Sequence, residues 1–493
     1  MDRPNFLVFM TDHQRGDMQP PHKKIIAPNM ERLYGAGVSF TNAFCPSPHC
    51  CPSRATFFSG LYPSEHGVWN NVDVSNALSR GLFDGVRLFS EDMAAAGYNM
   101  YYSGKWHVSA LEGPEDRGFI NIYPGPAKKR EFLNAPDIGD WWVYGDEAAL
   151  KTSVWKTAPP ASDMNTPRAD GEIKRRGYPK YTNYGVHEDL FNDRAVVDAA
   201  LERLDKISTR EPFFLYAGTS GPHDPYFAPQ RFLDMYDIND IELPENFDDP
   251  MTDKPAMYRR IASSFRQMSA REHRDSLRHY YAFCTFQDYL FGLLLDKLES
   301  RGLLDSTVVL YCSDHGDYAG AHGLWAKGLP CFSEAYHVNA LMGFGGTKPR
   351  GSAVSRFVSL ADFAPTFLDL AGIPCGRKIF GRTLAPYLRG EEPADARTEM
   401  YTQTNGNEVY GIQRAVFDGD YKYVFNTFDF DELYDLKNDA HETKNLIDMP
   451  CMQPVVEKMC RKLWRFARDN NDNAVNSYIM TAFSPYGPGV IFE

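Results

Sequence analysis

No apolar run in this chain approaches the length needed to cross a bilayer. The first apolar stretch, Asn5 to Met10, has no basic leader before it and no small-residue cleavage site after it, so it reads as a buried strand and not as an export signal. A soluble chain with no membrane partner is therefore expected, cytoplasmic as it stands and periplasmic if a signal was removed. No Cys-x-x-Cys occurs, and the nine cysteines, at 45, 50, 51, 284, 312, 331, 375, 451 and 460, are odd in number and lack framework spacing. That argues against a disulfide scaffold and a zinc site, and for a reducing compartment. Positive charge is also short: 52 Lys and Arg against 65 Asp and Glu leave a net charge of −13, which disfavours nucleic acid as a partner. An anionic substrate stays open, because a few cations can set the field inside one pocket. Repeats and low-complexity tracts are missing too.

What is present suits a large enzyme. A chain of 493 residues, 43% apolar and 14% aromatic, has room for one large α/β domain, a smaller one and a substantial core. Apolar runs that end in polar residues punctuate it. Asn5 to Thr11 leads into Asp12-His13, Tyr98 to Ser103 into Gly104-Lys105-Trp106-His107, Pro212 to Gly218 into Thr219-Ser220-Gly221-Pro222-His223-Asp224, and Thr307 to Cys312 into Ser313-Asp314-His315-Gly316-Asp317. Each fits a central parallel strand that delivers chemistry at its C-terminal end, where open α/β sheets place ligands. Val38 to Phe44 is expected as one more strand. Helices are expected at Pro28 to Leu33, Phe89 to Ala96, Leu190 to Ile207, His273 to Arg301 and Leu360 to Ala371.

The stretch that organises these pieces is Cys50-Cys51-Pro52-Ser53-Arg54-Ala55-Thr56-Phe57-Phe58-Ser59-Gly60. It reads as a loop turning into a helix, with Pro52 suited to the first helical position and Ser53 able to cap exposed amides. A helix N-terminus favours an anion, and Arg54 adds a planar fork that can grip two oxygens of a tetrahedral oxyanion. An Asp-His pair such as Asp314-His315 offers a divalent cation one hard oxygen and one nitrogen. Lys105 and His107, two apart, project the same way from an extended chain: one can neutralise anionic charge and the other can move a proton at neutral pH.

Cys-x-Pro-Ser-Arg with its following Ser-Gly, Gly104-Lys105-Trp106-His107, the Pro-His of Pro222-His223, Asp314-His315, and His322-Gly323-Leu324-Trp325-Ala326-Lys327 occur in the order of one family. The chain resembles the type I, formylglycine-dependent sulfatases of the alkaline phosphatase superfamily. The resemblance implies a large mixed, mostly parallel sheet flanked by helices, spanning about 1–385, and a smaller C-terminal α+β subdomain over 386–493. It implies oxidation of Cys50 to formylglycine by a maturation enzyme, and a metal held by Asp12, Asp314, His315 and an oxygen of modified Cys50. Ca²⁺ is the expected ion, with Mn²⁺ or Mg²⁺ left open by His315. It further implies that Arg54, Lys105 and Lys327 absorb sulfate charge and that His223 and Lys327 serve the leaving group. His107 then assists breakdown of the covalent sulfate. Asn71 matches an Asn that faces the metal or the substrate oxygens. His13 departs from the Asp-Asp and Asp-Gln openings of the family, so its contact with the metal is open.

The expected reaction is hydrolysis of a sulfate monoester on a small molecule or glycan, with a carbohydrate favoured. Phosphonate monoester or phosphodiester hydrolysis, or choline or aryl sulfate hydrolysis, are the alternatives. The irregular, aromatic-rich stretch 113–184 is expected to overhang the site and to bring Trp141 and Trp142 to the substrate. Homo-oligomerisation is left open.

Overall fold

The computed structural model describes residues 3–74, 77–123, 163–176, 180–208, 211–407, 409–473, 475 and 480–493. Its centre is an eight-stranded sheet. In spatial order the strands are Ser352–Val354, Gly37–Phe40, Ala340–Phe344, Thr307–Ser313, Asn5–Thr11, Phe213–Gly218, Asn99–Gly104 and Ile120–Tyr123. The last five run parallel to one another. Ala340–Phe344 is antiparallel to both of its neighbours.

The alternation of Asn5–Thr11 divides the core. Phe6, Val8 and Met10 face a cluster that also holds Ala55, Phe57 and Phe58 of the Cys50–Ser59 helix and Phe363 and Phe367 of the Phe363–Leu370 helix. Leu7 and Phe9 face a second cluster, built on Leu290, Phe291, Leu294 and Leu295 of the Ala270–Ser300 helix. With both faces covered, the central strands read as continuous apolar runs, and the period of two shows only in which cluster each side chain joins.

A four-stranded antiparallel sheet follows: Met400–Thr404, Gln413–Phe417, Tyr421–Asn426 and Glu432–Asp435. The Gln453–Asp469 helix lays Val456, Met459, Leu463 and Trp464 against Val416, Tyr423, Phe425 and Leu433 of that sheet.

The main and smaller sheets match the α/β class expected. Local boundaries differ in instructive ways. The run Val38 to Phe44 is two strands, Gly37–Phe40 in the main sheet and Ala43–Phe44 in a small sheet with His337–Val338 and Val358–Ser359. The break lies at Thr41, whose N–H is taken by the Val354 carbonyl. The Leu190 helix starts only at Asp193, and Glu432–Asp435 is a strand that alternation did not reveal. Trp141 and Trp142 lie outside the described residues. At the far end of that stretch, Tyr181 donates to Asp224 Oδ2 at 3.0 Å, beside His223.

Gly104 shows how tightly the strand ends are packed. It has φ +98°, and a Cβ there would lie 2.0 Å from the Gly218 carbonyl oxygen, the acceptor of the Lys105 N–H. Gly104→Ala should therefore destabilise the fold by at least about 2 kcal/mol, from positive-φ strain plus overlap with an immovable backbone atom. Denaturant melts would measure this, and a midpoint equal to wild type would refute the account.

Candidate active site

Register brings the polar strand ends to one level. Thr11 pairs with Ser313, and Gly218 pairs with both Met10 and Gly104. Asp12, Asp314, Thr219 and Lys105 therefore leave the sheet side by side at its C-terminal edge. The Cys50–Ser59 helix points its first turn at the same edge. It begins at Cys50, so Pro52 occupies the first turn's third position, where its missing N–H is still harmless. Ser53 does not cap: its hydroxyl donates to the Asp314 carbonyl. The Cys51 N–H is instead accepted by Asn71 Oδ1 at 3.2 Å.

Four side chains form a buried cage. Ligand atoms of Asp12, Cys50, Asp314 and His315 all lie within 4.8 Å of one another. Cys50 Sγ is 3.3 Å from His315 Nε2 and 3.7 Å from Asp12 Oδ1. His315 Nδ1 donates to the Gly316 carbonyl at 2.9 Å, so the lone pair of the neutral ring sits on Nε2 and faces the cage. Among the described residues two further donor groups are close-set, Asp12–His13–His223 and Cys51–Asp73–His107.

Cations surround the cage. Arg54 is fully buried and its fork is engaged throughout: Nε on Asp314 Oδ2 at 2.8 Å, Nη2 on Asp12 Oδ2 at 3.3 Å, and Nη1 on the Lys105 carbonyl and the Tyr216 hydroxyl. The structure thus places Arg54 on the two carboxylates and not toward a free anion. Lys105 Nζ pairs with Asp12 Oδ2. Against the upward push of burial and Cys50, Lys105, His223 and Arg54 hold Asp12 below the usual carboxylate range. Burial and the neighbouring Asp12 push Asp314 up. Burial also pushes the Cys50 thiol up, but Lys105, Lys327 and His315 together hold it well below its ordinary value.

On the far side, Lys327 Nζ donates to His13 Nε2 at 2.5 Å and to His223 Nε2 at 3.2 Å. The other nitrogens of those rings face acceptors: His13 Nδ1 faces Asp317 Oδ2 at 2.8 Å and His223 Nδ1 the Asp224 carbonyl at 2.5 Å. Both rings therefore act as acceptors toward the ammonium. Burial, His223 and Lys327 keep His13 neutral by holding its pKa well below the usual value. Tyr226 donates to Asp317 Oδ2 at 2.8 Å, which completes a chain from Tyr226 through Asp317 and His13 to Lys327. His322 is bound to Asp249 and Asn246 and only braces the loop.

The arrangement brings together Asp12, Cys50, Arg54, Lys105, His107, His223, Asp314, His315 and Lys327, with Asn71 one bond behind the helix terminus. It can bind a tetrahedral anion against a cation cage and protonate an oxygen on the Lys327 side. Sequence reasoning missed three contributors. Asp317 supports His13, Asn407 of the C-terminal region accepts from the Asn71 N–H at 3.0 Å, and Asp73 bonds His107. For Asp317 the signal was its place three residues past Asp314. Asn407 and Asp73 sit in turns and give none.

Comparison with known proteins identifies the scaffold. A family profile for sulfatases matches residues 4–373. The chain belongs to the sulfatase family. It is accordingly a sulfuric ester hydrolase, with the architecture of the alkaline phosphatase superfamily. A second profile, for the C-terminal region of N-sulphoglucosamine sulphohydrolase, matches residues 320–469 of this sulfatase. The choline-sulfatase of Rhizobium meliloti (strain 1021) is 29% identical over 467 residues, covering 91% of this chain and 83% of the relative. Among solved structures, a complex with its substrate D-glucosamine-2-N,6-O-disulfate superposes with a TM-score of 0.72 at 20% identity, covering 96% of this chain and 99% of the other. The phosphonate monoester hydrolase of Agrobacterium radiobacter gives 0.75 at 22%, covering 95% and 96%. At these identities the two structures speak for the fold alone.

Proposed function

We propose that this sulfatase removes sulfate from a monoester on a carbohydrate, an amino sugar above others, using formylglycine made from Cys50 by a maturation enzyme and a divalent cation, Ca²⁺. The observation that carries the mechanism is the cage, in which Cys50 Sγ occupies the place of the oxygen of the modified residue. Two carboxylates and an imidazole whose lone pair is fixed inward are a donor set that fits a hard to borderline divalent ion. Asp12, Asp314, His315 and residue 50 would hold it. Bound there, the ion would offset negative charge on the sulfate oxygens, and formylglycine would supply an oxygen nucleophile in place of a thiol.

The chain's own side chains do the rest. Arg54 keeps Asp12 and Asp314 apart and oriented. Lys105 and Lys327 present positive charge to an anion that would otherwise repel any nucleophile. Lys327, cradled by two acceptor rings, holds a proton at Nζ for the departing ester oxygen. His107 holds or takes a proton beside residue 50. The amino-sugar preference is supported by the N-sulphoglucosamine sulphohydrolase profile.

The deciding experiment compares kcat/KM on sulfated glucosamines, choline sulfate, an aryl sulfate and an aryl phosphonate, alongside mass spectrometry of the Cys50 peptide. A sulfated amino sugar should rank first, with an aldehyde at position 50. Greater efficiency on the phosphonate would overturn the reading. Chelation should abolish turnover reversibly. Restoring Ca²⁺ at a hundredfold excess over its Kd should stabilise the fold by about 2.7 kcal/mol, read as a rise in Tm. A melting temperature indifferent to chelator and Ca²⁺ would count against the cage.

A further inference from the structure

Asp73 lies two residues beyond Asn71, in a short segment bound at several points. Asn71 Oδ1 accepts from Cys51 N, the Val72 N–H points at Cys51 Sγ at 3.4 Å, and Arg80 Nη1 donates to the Val72 and Val74 carbonyls at 2.9 and 2.8 Å. This bracing fixes Asp73 relative to the head of the Cys50 helix. Its Oδ1 is 2.8 Å from His107 Nε2. Its side chain is 31% exposed and that of His107 14%. The other ring nitrogen, His107 Nδ1, is buried, and the Cys50 side chain hydrogen-bonds the ring. The His107 backbone is held at φ +54°, a left-handed conformation costly for histidine. Lys105, Cys50 and Cys51 are the other ionisable groups acting on the ring.

We infer that Asp73 is a positioning residue: by accepting the Nε2–H of His107 it fixes the ring's orientation and dedicates Nδ1 to proton exchange with residue 50. A carboxylate can only accept, so the shared hydrogen belongs to Nε2. With the Nε2 hydrogen committed to Asp73, whether the ring is charged or neutral, any proton the ring passes to or takes from residue 50 moves at Nδ1. The strained backbone aims the ring and the carboxylate stops it from rotating. The inference rests on the proposed role of His107 beside residue 50.

Two measurements test it. In protein labelled with ¹⁵N-histidine and carrying the unmodified Cys50 thiol, the His107 signals, assigned by their loss in His107→Gln, should report an Nε2 hydrogen in slow exchange with water in wild type. In Asp73→Ala that hydrogen should exchange rapidly with water. In matured enzyme, Asp73→Asn and Asp73→Ala should lower kcat on an aryl sulfate by about 10- to 100-fold with KM nearly unchanged, and Asp73→Glu should recover part of the loss. Asp73 is partly exposed, so Tm should hold. Unchanged His107 signals in Asp73→Ala would overturn the inference. So would wild-type kcat in both Asp73 variants while His107→Ala fails, an outcome that leaves the sulfatase reading intact. Wild-type protein inert toward every sulfate ester would sink that reading instead, and the spectra would still decide the role of Asp73.

Discussion

Cys50→Ala is expected to abolish sulfate-ester hydrolysis, lowering kcat by about 10⁴-fold or more, as removal of a nucleophile does when no neighbour can substitute. The surroundings of residue 50 make the loss specific. Its sulfur is central to the cage, 3.3 Å from His315 Nε2, whereas the cations around it are bonded to carboxylates and ring nitrogens and carry no nucleophile of their own. The side chain is small and 1% exposed, so its loss should cost about 1 kcal/mol of stability. The check pairs kcat on an aryl sulfate with a thermal melt. Residual activity within tenfold of wild type, with Tm unchanged, would place the nucleophile elsewhere.

Arg54→Ala should have the largest effect on stability. Arg54, Asp12 and Asp314 are all completely buried, and the guanidinium bonds both carboxylates, a carbonyl and a tyrosine hydroxyl at once. Its removal leaves Asp314 without a cation among its hydrogen-bond donors and forces two carboxylates to face each other across a cavity. Breaking a buried pair by deleting one partner costs about 3–5 kcal/mol. Arg54→Lys should recover only part of this, since a point charge cannot reproduce a fork that meets four acceptors. Denaturant titration of the metal-free protein measures the effect, and kcat should collapse in parallel. A loss under about 1 kcal/mol would mean that Lys105 alone balances the cage.

Much of this site was legible in the sequence because central parallel strands advertise themselves. Asn5–Thr11 and Thr307–Ser313 are unbroken apolar runs whose first polar successors are Asp12 and Asp314, and chain direction alone puts those carboxylates on one edge. The Cys50 helix was legible for a similar reason, with Pro52 near its start and Gly60 at its end. Long-range pairings that obey no local pattern were not legible. Ala340–Phe344 runs antiparallel inside a mostly parallel sheet, and its apolar composition is the same either way. The contacts of Arg54 were not legible because a sequence shows a cation near an anion site but not which anions reach it first; here Asp12 and Asp314 do. Asp73 was invisible as a polar residue in a turn, made distinctive only by a histidine 34 positions away. His13 was visible as a departure, and its partners Asp317 and Lys327 became apparent only once more than 300 residues of chain had folded back.

The depth of residue 50 governs when it can be altered. Once the sheet and the Cys50 helix have closed, no protein-sized catalyst can reach that side chain. Any enzyme that converts it must therefore meet the chain as an extended polypeptide, during or just after synthesis. Under the proposed conversion of Cys50, production hosts should accordingly differ in the fraction of competent molecules they yield and not in how those molecules fold, and exposing purified, folded thiol protein to a converting enzyme should recover nothing.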